Sequence, residues 1–274
     1  MLIKVGFEIT YEVWAPTPMV LMLSIHPSLD QAIRRPETLG TDPKIPLEPF
    51  TDPFGNRCVR LVAPTGLLNL TGEALVEDDG LPDPVVAEAV QHPVEELPVE
   101  TLQFLLSSRY CEMEKLSDLA WKLFGHTAPG WPRVQAICSW VHQHITFGYH
   151  FAGHKSAFEV LEEKKGVCRD FMHLAVTFCR CLNIPARYAT GYLGDFGVPV
   201  DGAMDFSAWF EAYLGGKWHT FDARHDARRI GRVLMATGRD ATDVALTTTF
   251  GKHALRKFVV ISDEVTTADG AART

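Results

Sequence analysis

Cys168 is the residue best placed for chemistry, because it stands at the predicted start of a helix. Gly166 and Val167 precede it, apolar residues then recur at helical spacing, and Pro185 prevents the helix from continuing. The free N–H groups and aligned dipoles of a helix start favour negative charge, which in known cases lowers a thiol pKa from about 8.5 to roughly 3.5–7.5. This position predicts a reactive thiol, whereas the plainer interpretation is a buried cysteine that packs as a small hydrophobe.

Two more candidate residues lie on a predicted hairpin. Residues 206–214 alternate in polarity, Gly215-Gly216 is typical of a two-residue hairpin turn, and a second strand follows over 218–223. The register of such a turn places Ser207 opposite Arg224 and makes Ser207 and Asp222 diagonal neighbours on one face. A carboxylate at this place could fix the tautomer of an imidazole beside the thiol.

Three stretches of the sequence resemble the transglutaminase-like superfamily, the papain-like group that includes transglutaminases and bacterial cysteine proteases. They are Gly166-Val167-Cys168-Arg169-Asp170, Ile184-Pro185-Ala186-Arg187-Tyr188 with Gly191-Tyr192, and Trp218-His219-Thr220-Phe221-Asp222. The resemblance covers residues 100–225 and implies that Cys168 is the nucleophile and Asp222 the acid of a triad. The whole chain is also similar to a bacterial branch with an N-terminal β domain. The implied fold is α+β, a papain-like core preceded by a small antiparallel β domain.

One position departs from the family pattern. The family's general base is the histidine of a His-Ala-Trp strand motif, and the matching residues here are Ser207-Ala208-Trp209. A serine hydroxyl keeps its proton at neutral pH, so Ser207 cannot be that base. Three histidines are candidate substitutes, which we rank in the order His225, His154 and His219. His225 lies just past the second strand, His154 lies in a loop, and strand alternation puts His219 on the face opposite Asp222.

Two functions from different classes remain open. The first is a cysteine-dependent amide hydrolase or acyltransferase, with peptide hydrolysis as the leading reaction and a peptide or protein as substrate. The second is a catalytically impaired papain-like module that serves as a binding or scaffold unit. No cofactor or metal is expected, because Cys179 and Cys181 point to different faces of a helix and no zinc spacing occurs.

Composition narrows the partners and the organisation. The formal net charge of −8 and the absence of a Lys/Arg run argue against nucleic acid. The N-terminus lacks a leader pattern and no long apolar stretch occurs, so we expect a cytoplasmic protein without a membrane segment. Strand patterns over residues 3–13, 19–26, 57–61 and 67–76, followed by a proline-rich acidic stretch, predict a β-rich domain over 1–95. Helical periodicity predicts a second domain over 96–274, and the oligomeric state stays open.

Overall fold

The computed structural model describes residues 1–151, 153–200 and 204–265. Alternating polarity and proline-bounded turns make the first part of the chain β-structure. Its strands are β1 (Leu2–Val13), β2 (Thr17–Leu21), β3 (Ile33–Asp42), β4 (Glu48–Thr51), β5 (Arg57–Ala63) and β6 (Gly66–Glu77). The later elements are α1 (Met113–Phe124), α2 (Trp131–His144), β7 (Thr146–Phe147), α3 (Ala157–Glu163), β8 (Lys165–Gly166), α4 (Cys168–Cys181), β9 (Ala186–Leu193), β10 (Ser207–Leu214), β11 (Lys217–Phe221), β12 (Arg232–Gly238), β13 (Thr247–Thr249) and β14 (His253–Glu264). Short 3-10 helices cover Pro27–Ala32, Val94–Glu96, Val99–Leu105 and Tyr149–Phe151.

The β unit consists of two antiparallel sheets, with strand orders β14-β1-β6-β3 and β13-β2-β5-β4. Odd-numbered residues of β1 from Ile3 to Val13 are buried, as the alternation predicts, and pack in one core with residues of β2, β5 and β6. The predicted strands at 57–61 and 67–76 are confirmed and are slightly longer in the structure. The strand predicted over 19–26 ends earlier, at Leu21.

Both ends of the chain contribute to this unit. β14 pairs with β1 along its length, from Ile3 opposite Glu264 to Val13 opposite His253, and β13 pairs with β2. The boundary near residue 95 stays a prediction, but residues 247–264 belong by pairing with the β sheets rather than with the helices, where the predicted 96–274 domain put them. The reason is that pairing between strands about 250 residues apart leaves no local pattern. Residues 266–274 lie outside the described residues.

The second unit packs helices against the antiparallel sheet β11-β10-β9-β12. The helix α4 lies between this sheet and α1, α2 and α3. Every residue of α4 from Asp170 to Cys181 is buried, including Arg180 and His173. The helix predicted to begin at Cys168 is confirmed, but its helical spacing of apolar residues does not mark a single buried face, because neighbours cover all sides of α4. The fold class is α+β, as predicted.

The hairpin register agrees with the prediction over residues 210–214 and 217–221, but the ladder ends before the predicted pair of Ser207 and Arg224. Phe210 lies opposite Phe221 and Leu214 opposite Lys217. The turn residues Gly215 and Gly216 have φ of 56° and 80°, values that most side chains disfavour and that a two-residue turn requires. Within the described residues, no helix has the length and apolarity needed to cross a membrane.

Candidate active site

Cys168 begins α4, and the preceding turn holds it there. The backbone N–H of Val167 donates a hydrogen bond of 2.9 Å to Oδ2 of Asp170, in the first turn of the helix. Gly166 allows this turn because a Cβ at residue 166 would lie 2.6 Å from the Asp170 Cβ. The carboxylate of Asp170 therefore occupies the space that a side chain at residue 166 would need.

The thiol of Cys168 is the most accessible of the six in the chain. Cys168 is half-buried, while the other five cysteines are buried. Burial raises the pKa of the Cys168 thiol, and the guanidinium of Arg224 and the backbone N–H groups of Arg169 and Ala208 oppose that rise. The expected lowering of this pKa by the helix start is wrong. Desolvation raises the pKa more than Arg224 and the two N–H groups lower it, and the negative charge of Asp205 raises it further.

Asp222 and His225 form a hydrogen-bonded pair in the turn after β11. Nδ1 of His225 lies 2.8 Å from Oδ2 of Asp222, whose other oxygen accepts the backbone N–H groups of Arg224 and His225 at 3.0 Å each. Burial alone would raise the pKa of Asp222, but the hydrogen bond to His225 and the charge of Arg232 hold it well below its usual range. An ionised carboxylate can only accept, so Nδ1 of His225 donates and Nε2 is left to accept a proton.

Residues from outside the turn fix its position. Nη2 of Arg232, on β12, lies 2.9 Å from Oδ2 of Asp222, and its Nε lies 3.0 Å from Oδ2 of Asp83. Nδ1 of His142, on α2, donates a hydrogen bond of 2.7 Å to the carbonyl of Arg224. The pair of Asp222 and His225 is thus held from a strand and from a helix. Nothing in the sequence pattern pointed to Arg232 or to this role of His142.

Ser207 lies at the start of β10 and is buried, with 7 % of its surface exposed. No hydrogen-bond partner of its hydroxyl oxygen is found among the described residues. Thr190 donates to the carbonyl of Ser207 at 3.0 Å, so its backbone is satisfied while its side chain is not. An unpaired buried hydroxyl costs free energy unless a ligand or water supplies the partner.

Two cavities meet at Cys168. The first, of about 280 Å³, is lined by Cys168, Ser207, Arg224 and His225 among others. The second, of about 790 Å³, is lined by Cys168, Ser207 and His154. Asp222 does not line either cavity; it lies behind His225, and the imidazole separates it from the first one.

The three candidate histidines have different surroundings. His225 shares the first cavity with Cys168 and is bonded to Asp222. His154 is exposed in the second cavity, where its Nδ1 lies 3.4 Å from the hydroxyl of Tyr110. His219 packs against Trp131 and bonds to the carbonyl of Leu214, away from both cavities. The structure thus brings Cys168, Ser207 and His225 to one cavity, with Asp222 behind His225, and leaves His219 apart.

Comparison with known proteins identifies the family of the chain. Residues 118–223 match the model of the transglutaminase-like superfamily. A crystal structure from Cytophaga hutchinsonii, solved under the name "putative cysteine protease", is 34% identical and superposes with a TM-score of 0.84 over 97% of this chain and 91% of that one. An uncharacterized protein of Mycobacterium leprae is 34% identical over 119 residues, which are 41% of this chain and 42% of that protein. The chain therefore covers less than half of the length of that relative.

The match to the family model spans α4, β9, β10 and β11, which carry Cys168 and Ser207 and lead directly to Asp222. The likeness to the Cytophaga hutchinsonii structure extends over both the β unit and the helical unit. The chain belongs to the transglutaminase-like superfamily.

Proposed function

We propose that the chain is a cysteine-dependent acyl-transfer enzyme that cleaves amide bonds, with peptides as substrates. The observation that carries the proposal is the hydrogen bond of 2.8 Å between His225 and Asp222, at a cavity that also contains the Cys168 thiol. A carboxylate that fixes an imidazole beside a thiol is the arrangement of a nucleophile, a base and an orienting acid. In this proposal the imidazole at residue 225 replaces the one that the family places at residue 207.

The reaction has two steps. Nε2 of His225 takes the thiol proton while Sγ of Cys168 attacks the carbonyl carbon, and the same proton passes to the leaving amine as the C–N bond breaks. Water then attacks the thioester, His225 takes a proton from it and returns the proton to the sulfur, and the acid leaves. The N–H of Ala208, which stabilises the thiolate, is placed to help hold negative charge near the sulfur.

The raised pKa of Cys168 bears on how the thiol reacts. A thiol that burial keeps protonated needs a base during the attack, so the proposal requires proton transfer to His225 rather than a preformed thiolate pair. The same raised pKa is what the alternative function, a binding or scaffold module with an idle cysteine, would show. The two functions differ in whether His225 affects the reactivity of Cys168.

The test is the acylation burst with p-nitrophenyl acetate and the rate of turnover after it. We expect one equivalent of burst, no burst in Cys168→Ala, and acylation about 100-fold slower in His225→Ala, since general-base catalysis is worth about 10²–10⁴-fold. His154→Ala and His219→Ala are matched controls, because they remove histidines with other surroundings and should acylate at the wild-type rate. Equal acylation rates in His225→Ala and wild type would favour the binding module.

A further inference from the structure

We infer that the second cavity is the binding site of an extended, acidic stretch of the substrate peptide, which adds as a strand to the free edge of β13. We call this cavity the β13 groove; its lining includes residues 244–249, Cys168 and Arg169 at the start of α4, and Arg109 and Tyr110. The inference rests on the proposed function, because only an enzyme that acts on peptides would need a peptide-binding groove beside Cys168. Its test measures binding and does not depend on catalysis.

The edge of β13 is open in the described part of the chain. β13 is the last strand of its sheet, and β2 is its only partner strand among the described residues. Leu246 accepts a hydrogen bond from the N–H of Met22, and the N–H of Phe250 donates to the carbonyl of Pro18, at 2.9 and 3.0 Å. Both residues therefore direct their backbone groups toward β2.

The alternation of hydrogen bonds along the strand then determines where the backbone groups of the other β13 residues point. In an antiparallel pair a residue that bonds to its partner is followed by one whose N–H and C=O point to the opposite side. Thr248 lies two residues after Leu246, so its backbone N–H and C=O also point toward β2. The N–H and C=O groups of Thr247 and Thr249 therefore point toward the free edge. Both residues line the groove that contains the thiol. A peptide strand placed there can form up to about four backbone hydrogen bonds, which is the usual means of strand addition.

Charge decides the type of peptide. Arg109 is exposed and stacks over the ring of Tyr110, and no carboxylate pairs with it among the described residues. Arg169 also lies over the ring of Tyr110, and it forms an ion pair with the buried Asp170. Asp205 is the acidic group that lines the groove. The groove therefore has an unpaired cation at Arg109, and a glutamate or aspartate in the peptide would complement it.

The groove size and position suit such a ligand. Its volume of about 790 Å³ lies within the usual range for ligand sites, roughly 300–1,000 Å³. The first cavity, which shares Cys168 with the groove, is smaller, at about 280 Å³. The thiol lies where the two cavities meet, so a peptide in the β13 groove would bring one of its carbonyl groups to Cys168 and would continue toward His225.

The experiment measures binding to Cys168→Ala by isothermal titration calorimetry, so that no reaction takes place. The probe is the acetylated and amidated octapeptide Ala-Val-Glu-Ala-Val-Gln-Ala-Gly, together with variants that carry one N-methyl group at each position in turn. N-methylation removes a backbone donor. We expect binding about two- to tenfold weaker at every second position and little change between them, since one hydrogen bond contributes about 0.5–1.5 kcal/mol.

The charge part of the inference has its own control. Arg109→Gln, in the Cys168→Ala background, should weaken binding of the glutamate peptide but not of the same peptide with glutamine in place of glutamate. Arg60→Gln is the matched control, because Arg60 is an exposed arginine on β5 that does not line the groove. Equal weakening by both variants would contradict the role of Arg109.

The outcomes separate this inference from the proposed function. Weaker binding at alternate N-methyl positions, without any acylation of the wild-type thiol, would support peptide binding in the β13 groove and would overturn the proposed enzymatic function. Acylation by p-nitrophenyl acetate without peptide binding up to about 1 mM would overturn strand addition. Binding that weakens at consecutive positions, with no alternation, would also overturn it, because only a strand shows a period of two residues.

Discussion

Replacing Gly166 with alanine should destabilise the protein and displace the thiol. A Cβ at residue 166 would lie 2.6 Å from the Cβ and 2.9 Å from Oδ2 of Asp170. Asp170 is fully buried, so it cannot move aside into solvent. Any shift of its carboxylate would also break the hydrogen bond that the N–H of Val167 donates to it, next to Cys168.

Two opposing effects of Gly166→Ala contribute to the free energy of unfolding: the clash with Asp170 in the folded protein and the lower entropy of the unfolded chain. Overpacking a buried position costs about 1–3 kcal/mol, and loss of the hydrogen bond at the helix start costs about 1 kcal/mol. Alanine also restricts the unfolded chain, which returns about 0.4–1 kcal/mol. The clash is the larger effect, so we expect Gly166→Ala to lower the free energy of unfolding by about 1–3 kcal/mol.

Urea unfolding of wild type, Gly166→Ala and Gly153→Ala measures this difference. Gly153 is the control, because a Cβ there would meet no atom within 4 Å; its free energy of unfolding should stay within about 0.5 kcal/mol of wild type. Acylation of Cys168 should slow in Gly166→Ala, since a misplacement of about 1 Å can cost about 100-fold in rate. Wild-type stability of Gly166→Ala would refute the argument that Asp170 fills this space.

Three further predictions concern the thiol. Cys168 should react with iodoacetamide faster than the other five cysteines, because they are buried, and peptide mapping by mass spectrometry checks this; faster labelling of any other cysteine would contradict the assignment. Arg224→Gln should raise the pKa of Cys168 and move its alkylation curve to higher pH, whereas Asp205→Asn should lower that pKa and move the curve to lower pH, because the two charges act in opposite directions. Below the pKa, each variant should change the alkylation rate about two- to fivefold at low salt. Shifts of the same sign in both variants would contradict these roles of Arg224 and Asp205. Ser207→His should increase labelling at pH 6, because an imidazolium beside the thiol stabilises the thiolate, and an unchanged rate would show that residue 207 does not reach the sulfur.

The hairpin shows what the sequence could predict. Two adjacent glycines permit the positive φ angles of a two-residue turn, and that turn fixes which residues of β10 and β11 face each other. The face of His219 followed from the same alternation, and the structure places it against Trp131. These features depend on neighbours within a few residues, so a local pattern is sufficient for them.

Other features depend on contacts that are distant in the sequence. β14 completes the sheet of β1, and its sequence from His253 to Glu264 gives no sign of which strand it will meet. The pKa of Cys168 depends in the same way on tertiary contacts. The helix start favours the thiolate, but burial and the charge of Asp205 favour the protonated thiol, and the pKa of Cys168 is raised as a result. A motif can thus locate a nucleophile without indicating its protonation state.

The position of the base follows from the reach of Asp222. The family pattern has its imidazole on the neighbouring strand, at the position of residue 207, whereas His225 lies in the same turn as Asp222. With Ser207 on the strand, the turn supplies the partner: two backbone N–H groups hold one oxygen of Asp222, and the imidazole of His225 meets the other. Arg232 shares that second oxygen, which keeps the carboxylate ionised and Nδ1 of His225 protonated. Under the proposed function, the acid of the family keeps its place and only the imidazole that it orients has moved.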